Sequence, residues 1–198
     1  MNYYFGPHIK EEGIRMNPPS NINSKWRYSL EIPFKDSVSD GPVAYVILKN
    51  PSQAGIIEDN RTKSDMTVNK VCIYFYVRGF SKVVILNLAG IYATDLSTIS
   101  HKSINQLVAS KTEPNANDNE IHKQLRKFRN GIDVIAVGWG KKNKVKGDYD
   151  SRIHQVLAII DQYTEEIFEY PSDSSYPIHP AAKEGWNNWE ELVPFKWK

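Results

Sequence analysis

VAYVILKNPS, residues Val43 to Ser52, joins a six-residue apolar run to an abrupt polar turn. The run is bounded by Gly41-Pro42 and Asn50-Pro51, is short for a helix, and lacks the alternation of a half-exposed strand. It therefore fits a strand buried on both faces, the usual condition in a parallel sheet. Later stretches repeat the design. Lys82 to Leu86 (KVVIL) runs into Asn87, and Ile132 to Val137 (IDVIAV) runs into Gly138-Trp139-Gly140. The more polar Glu165 to Glu169 (EEIFE), expected nearer an edge, leads through PSDSSYPI to His179-Pro180. Polar residues that follow successive strands suggest a site assembled from strand ends.

Between these runs the periodicity is helical. Ser64 to Arg78 places Val68, Val71, Cys72 and Phe75 on one face, with Gly79 as a stop, and Asp150 to Tyr163 carries Ile153, Val156, Leu157 and Ile160. Asn117 to Glu120 resembles a capping box with Asn117 as the cap, followed by a helix to about Arg129. Trp26 to Ile32 alternates as a strand and is ended by Pro33. Leu88 to Asn115 is mostly connection, long enough to suggest a functional loop. Strands alternating with helices predict an α/β fold. We expect a three-layer sandwich around a short, mainly parallel sheet of about four strands, with ligands bound beyond the strands' carboxyl ends. One domain spans residues 1–198: an irregular arm at 1–24, the α/β core at 25–181, and an aromatic tail at 182–198 that packs on the core.

Hydrophobic residues make up 40% of the 198 positions and charged residues 24%, which excludes a wholly disordered chain. No window holds the roughly 18 apolar residues of a membrane span, and the amino end lacks the order of a secretory signal, so a cytoplasmic protein without membrane contact is expected. The single cysteine, Cys72, sits in an apolar segment and reads as a buried thiol. Neither zinc spacing nor a Walker or dinucleotide glycine pattern is present, and no cofactor is expected. From His122 to Arg152 nine Lys or Arg face three Asp, a stretch suited to the phosphates of a nucleic acid or nucleotide. Its bland alternative is a solvated helix face plus a lysine-rich loop. The oligomeric state has no sequence signal.

The ordered series LKNPSQAG at 48–55, DNRT at 59–62, NLAGIYATD at 87–95, NDN at 117–119, GWG at 138–140 and IHP at 178–180 resembles an uncharacterised bacterial and phage family, domain of unknown function 1643, over roughly Trp26 to Pro180. The chain departs from that family's pattern at Lys49, Asn60-Arg61 and Tyr92. A more distant similarity is to the uracil-DNA glycosylase superfamily, through Asn50-Pro51, VVILN ending at Asn87, Trp139-Gly140 and His179-Pro180.

The glycosylase resemblance implies roles. Asn50 and His179 stand where catalytic groups are expected: Asn50 to orient a water, without the basicity of an Asp, and His179 to stabilise charge developing on a base oxygen. Asn87 offers one acceptor and two donors to an amide-like base edge. Pro51, Ser52, Thr94, Asp95, Asn117, Trp139 and Gly140 complete the expected substrate contacts. Each has a structural alternative: Asn50 and Asn87 as turn residues, Trp139 as a wedge, Asn117 and Thr94-Asp95 as helix caps. Three functions are consistent with these residues: a nucleobase-recognising N-glycosidase-like enzyme, a non-catalytic nucleic-acid or nucleotide-binding module, and an enzyme on another small polar metabolite.

Overall fold

The computed structural model describes residues 3–19, 25–58, 61–93, 102–142, 145–183, 185–187 and 190–196. At its centre lies β4 (Val43–Leu48), with all six residues buried. It pairs in parallel with β7 (Lys82–Asn87) and β8 (Val134–Val137), and β8 pairs in parallel with β9 (Phe168–Glu169). Beyond this block the pairing turns antiparallel. β3 (Ser29–Pro33) joins β7, β2 (Arg15–Asn17) joins β3, and β10 (Val193–Pro194) joins β9. The sheet is therefore mixed and seven-stranded, in the order β10-β9-β8-β4-β7-β3-β2, and larger than the four-stranded, mainly parallel sheet expected from sequence. A second small sheet joins β1 (Tyr3–Tyr4), β6 (Arg61–Ser64) and β5 (Ile57–Glu58).

Side-chain alternation along β4 divides the core in two. Ala44, Val46 and Leu48 pack with Val83, Ile85 and helix α1 (Met66–Tyr76) through Val68, Val71, Cys72 and Phe75. Tyr45 and Ile47 face the other way, where α2 (Ile104–Val108), α3 (Ala116–Leu125) and α4 (Tyr149–Ile160) supply Ile104, Leu107, Ile121, Leu125, Ile153 and Val156. The fold is thus mixed α/β, with helices on both faces of the sheet. No described helix is long and apolar enough to cross a membrane.

Several boundaries differ from expectation, each for a local reason. The amino-terminal arm supplies β1 and β2 and buries Phe5 and Ile9; strands of two or three residues are too short to show a period. Asn115, not Asn117, is the N-cap of α3, and the helix ends at Leu125. Asn117 lies inside the first turn, its side chain drawn to the carbonyl of Asn87 at 2.9 Å. Asp148 caps α4 by accepting from Ser151 N–H. β9 lies near the edge as expected, with the tail returning as β10 to form the edge strand itself.

Candidate functional site

The parallel block brings the ends of β4, β7 and β8 to one edge, and a short backbone ladder extends past them. Leu88 N–H donates to Leu48 O, Ala89 N–H to Lys49 O, and Ala93 N–H to Pro51 O, at 2.9, 2.9 and 3.0 Å. Gly138 N–H reaches Ile47 O at 3.0 Å. The loop after β9 closes on the same edge, where Gly140 N–H donates to Pro177 O at 2.9 Å. Gly140 has φ +68°, and a Cβ there would lie 3.2 Å from His179 Cβ, so glycine serves both the left-handed turn and the close approach. Asn50-Pro51-Ser52, Asn87, Gly140 and His179 are therefore gathered at the strand ends.

Their chemistry differs residue by residue. The Asn50 amide donates to Pro51 O at 3.0 Å and to Ala93 O at 2.6 Å, which commits both its hydrogens and fixes the orientation of the group. What Asn50 retains for a ligand is its carbonyl oxygen. Asn87 is fully buried, yet neither its amide nitrogen nor its side-chain oxygen has a hydrogen-bond partner among the described residues. Alternation places its side chain on the α1 face with Val83 and Ile85. An unpaired buried amide is an unusual and costly feature, of order 1–3 kcal/mol for each unmet group.

His179 is partly buried, and burial first, then the nearby charges of Lys49 and Lys70, lower its pKa to about 4 against a partial counter-effect from Asp65. The imidazole is neutral at neutral pH. Its Nδ1 accepts from Ala181 N–H at 3.3 Å, so the neutral ring carries its proton on Nε2 and presents a donor.

Sequence reasoning missed three residues here. Asp65 caps α1, accepting from Val68 N–H at 2.8 Å, while its other oxygen accepts from the Ser52 hydroxyl. Lys70 follows on the same helix. Arg27 precedes β3 and is 1% exposed; one guanidinium nitrogen donates to Ala54 O, and the guanidinium carbon lies 5.6 Å from the centre of the Tyr92 ring. Burial lowers the Arg27 pKa, opposed by Tyr92 and Asp65. The sequence SDM ahead of an apolar-periodic stretch was a readable capping signal for Asp65. Nothing in WRYSLEI marks Arg27 as buried.

Other expected contacts sit elsewhere. Trp139 is fully buried in the core on the α2–α3–α4 face, edge-on to Phe195 at 5.7 Å, and is not exposed as a stacking platform. Asn117 approaches from that same face and meets Asn87 only through its backbone. Thr94 and Asp95 lie outside the described residues. Lys49 reaches Lys141 O and lies 5.6 Å from the Tyr149 ring centre.

A separate cleft of about 640 Å³ opens between α3 and the β2 edge, lined in part by Asn17, Tyr28, Glu113 and Glu120. Glu120 accepts there from Asn17, Ser29 and Gln124 at 2.6, 2.7 and 2.7 Å, a satisfied structural network and the opposite of Asn87. No group of three His, Cys, Asp or Glu suited to a metal occurs among the described residues.

Fold and site define a mixed α/β protein with a polar cluster at the carboxyl ends of its parallel strands. A family model described as Protein of unknown function (DUF1643) matches residues 27–181, and the chain belongs to that family. No curated protein matches the chain.

Proposed function

We propose that the strand-end cluster recognises the amide edge of a nucleobase and acts as an N-glycosidase. The observation that carries this reading is the buried, unpaired side chain of Asn87: one acceptor and two donors fixed at a strand end match such an edge. His179 supplies the complementary chemistry. In the reaction the bond from sugar carbon to base nitrogen breaks, the electron pair leaves with the base, and Nε2–H donates to the base oxygen on which charge accumulates. Water oriented by the Asn50 carbonyl adds to the sugar carbon, and the proton it loses ends on the released base. Asn50 orients that water without acting as a strong base.

A second reading, a non-catalytic nucleotide-binding module, is favoured by one specific observation. Both hydrogens of the Asn50 amide are spent on backbone carbonyls, and position 50 itself is an amide, not a carboxylate. The Ala181-Ala182-Lys183-Glu184 sequence after His179-Pro180 also lacks an apolar wedge for displacing a base.

The test is base release from a panel of oligonucleotides and nucleotides carrying altered bases, paired with binding measurements on the same panel. The wild type releases free base, His179→Ala and Asn50→Ala lose release, and Asn87→Leu loses both release and binding. Because Leu removes an unpaired buried amide, Asn87→Leu also unfolds at the same temperature as the wild type or above it. Binding without release selects the binding module; neither binding nor release rejects nucleobase recognition.

A further inference from the structure

Arg27 presents a problem that the nucleobase reading leaves unsolved. A guanidinium taken out of water is stable only when its charge and its N–H groups are met, and Arg27 is 1% exposed. Its partners are neutral: the carbonyl of Ala54 and the Tyr92 ring and hydroxyl. Asp65 is close enough to act on it electrostatically, but each Asp65 oxygen already accepts a hydrogen bond, from Val68 N–H or the Ser52 hydroxyl. No carboxylate lies within ion-pair distance of Arg27 among the described residues. Its Nε–H has no partner at all among them.

Asp65 acts on both Arg27 and His179, and Lys49 and Lys70 act on His179. Asp65 thus links Arg27 to the side of the cluster that holds His179. Arg27 also belongs physically to the strand ends. Its own N–H donates to Gly90 O at 2.8 Å, Ala54 follows the Asn50-Pro51-Ser52 turn, and Tyr92 adjoins Ala93, whose carbonyl holds the Asn50 amide.

We propose that this corner of the strand-end cluster is an oxyanion seat, in which Arg27, assisted by the Tyr92 hydroxyl, binds a phosphate group of the ligand. A planar guanidinium with an unpaired N–H matches a phosphate oxygen in geometry as well as charge. The ligand of the strand ends is then a nucleotide unit, whether a free mononucleotide or part of a nucleic-acid strand, and not a neutral nucleoside. The base half of this statement rests on the nucleobase reading; the phosphate half stands on Arg27 alone.

Calorimetric titration of the full chain tests it with four probes: inorganic phosphate, a nucleoside, its 5′-monophosphate, and a short single-stranded oligonucleotide without terminal phosphates. The expected result is that the monophosphate binds at least about tenfold more tightly than the nucleoside, and that Arg27→Lys, which keeps the charge but loses the fork, removes that difference. Should Arg27→Lys fail to fold by circular dichroism, Tyr92→Phe carries the test, expected to weaken phosphate and monophosphate binding several-fold with little effect on the nucleoside. Binding of the oligonucleotide with the same sensitivity to these variants assigns the phosphate to a strand; its absence beside monophosphate binding assigns it to a free nucleotide. Equal affinity for nucleoside and monophosphate, or phosphate affinity indifferent to both variants, overturns the seat. Arg27-dependent phosphate binding with no contribution from any base keeps the seat and rejects the nucleobase reading instead.

Discussion

His179 shows how much of the proposed chemistry hangs on the environment of one side chain. Burial, Lys49 and Lys70 lower its pKa to about 4 from the ordinary 6.5, and Ala181 N–H fixes the proton of the neutral ring on Nε2. A donor that is neutral at pH 7 stabilises an oxygen anion without surrendering its own proton, which suits a departing base. The same shift ties stability to pH. Between pH 6.5 and about 4 the unfolded chain binds a proton that the folded chain refuses, so the unfolded state gains as pH falls through that window. Stability from this residue is fully present above pH 6.5, and its loss toward pH 4 amounts to at most about 3 kcal/mol. Urea unfolding at pH 7.5 and pH 5 checks this: the wild type loses more stability between the two than His179→Gln does. Equal losses would show that His179 does not titrate in this way.

Helix α1 and the strands around it show what the sequence could and could not disclose. Three of the four parallel strands, β4, β7 and β8, were legible because burial leaves continuous apolar runs, as in VAYVIL and KVVIL, whereas the more polar β9 gave a weaker signal. The antiparallel additions were not, because β2 and β10 have three and two residues and owe their pairing to the neighbouring strand. The site divides in the same way. Polar positions after each strand were readable, whereas Arg27, ahead of β3, and Asp65, at the start of α1, come from separate segments and approach only in three dimensions. Trp139 was readable as a strand-end residue, but its burial among the α2, α3 and α4 residues depends on which way the chain leaves β8. Asp65 joins the two levels, since it caps α1 and holds the Ser52 hydroxyl of the first strand-end turn. Replacing it with Ala removes both contacts and costs about 1 kcal/mol or somewhat more, while Asn, itself a strong N-cap, recovers most of the loss. The denaturation midpoint should fall for Asp65→Ala with an unchanged slope, and stay near wild type for Asp65→Asn.

Across the whole molecule, charge and tail decide what remains available at the strand ends. The basic stretch 122–152 does not form one patch. Lys123, Lys127, Arg129 and Arg152 lie against Glu120, Glu31, Asp133 and Asp118, and Arg129 closes the opposite edge of the sheet near Gly41. Lys141, Lys142 and Lys146 are exposed on the segment after β8, beside the site. The tail holds the site together from behind. Trp186, 3% exposed, packs against Tyr74, Phe75 and Tyr170, with ring centres 5.3, 6.0 and 6.2 Å away, and so bridges α1 to the segment after β9. Its indole N–H donates to Ile178 O at 3.3 Å, one residue before His179. Gly185 allows this return, since a Cβ there would fall 2.3 Å from Pro180 O. Trp186→Ala should therefore cost about 3–5 kcal/mol by leaving a cavity among aromatic rings. Trp186→Phe keeps much of the packing but drops the indole hydrogen bond, so it should cost less overall while loosening the His179 segment. Chemical denaturation ranks the two variants, and amide hydrogen exchange at Ala181 and Ala182, whose N–H groups bond to His179, reads the loosening. Unchanged exchange at those amides in Trp186→Phe would show that the tail stabilises the core without positioning His179.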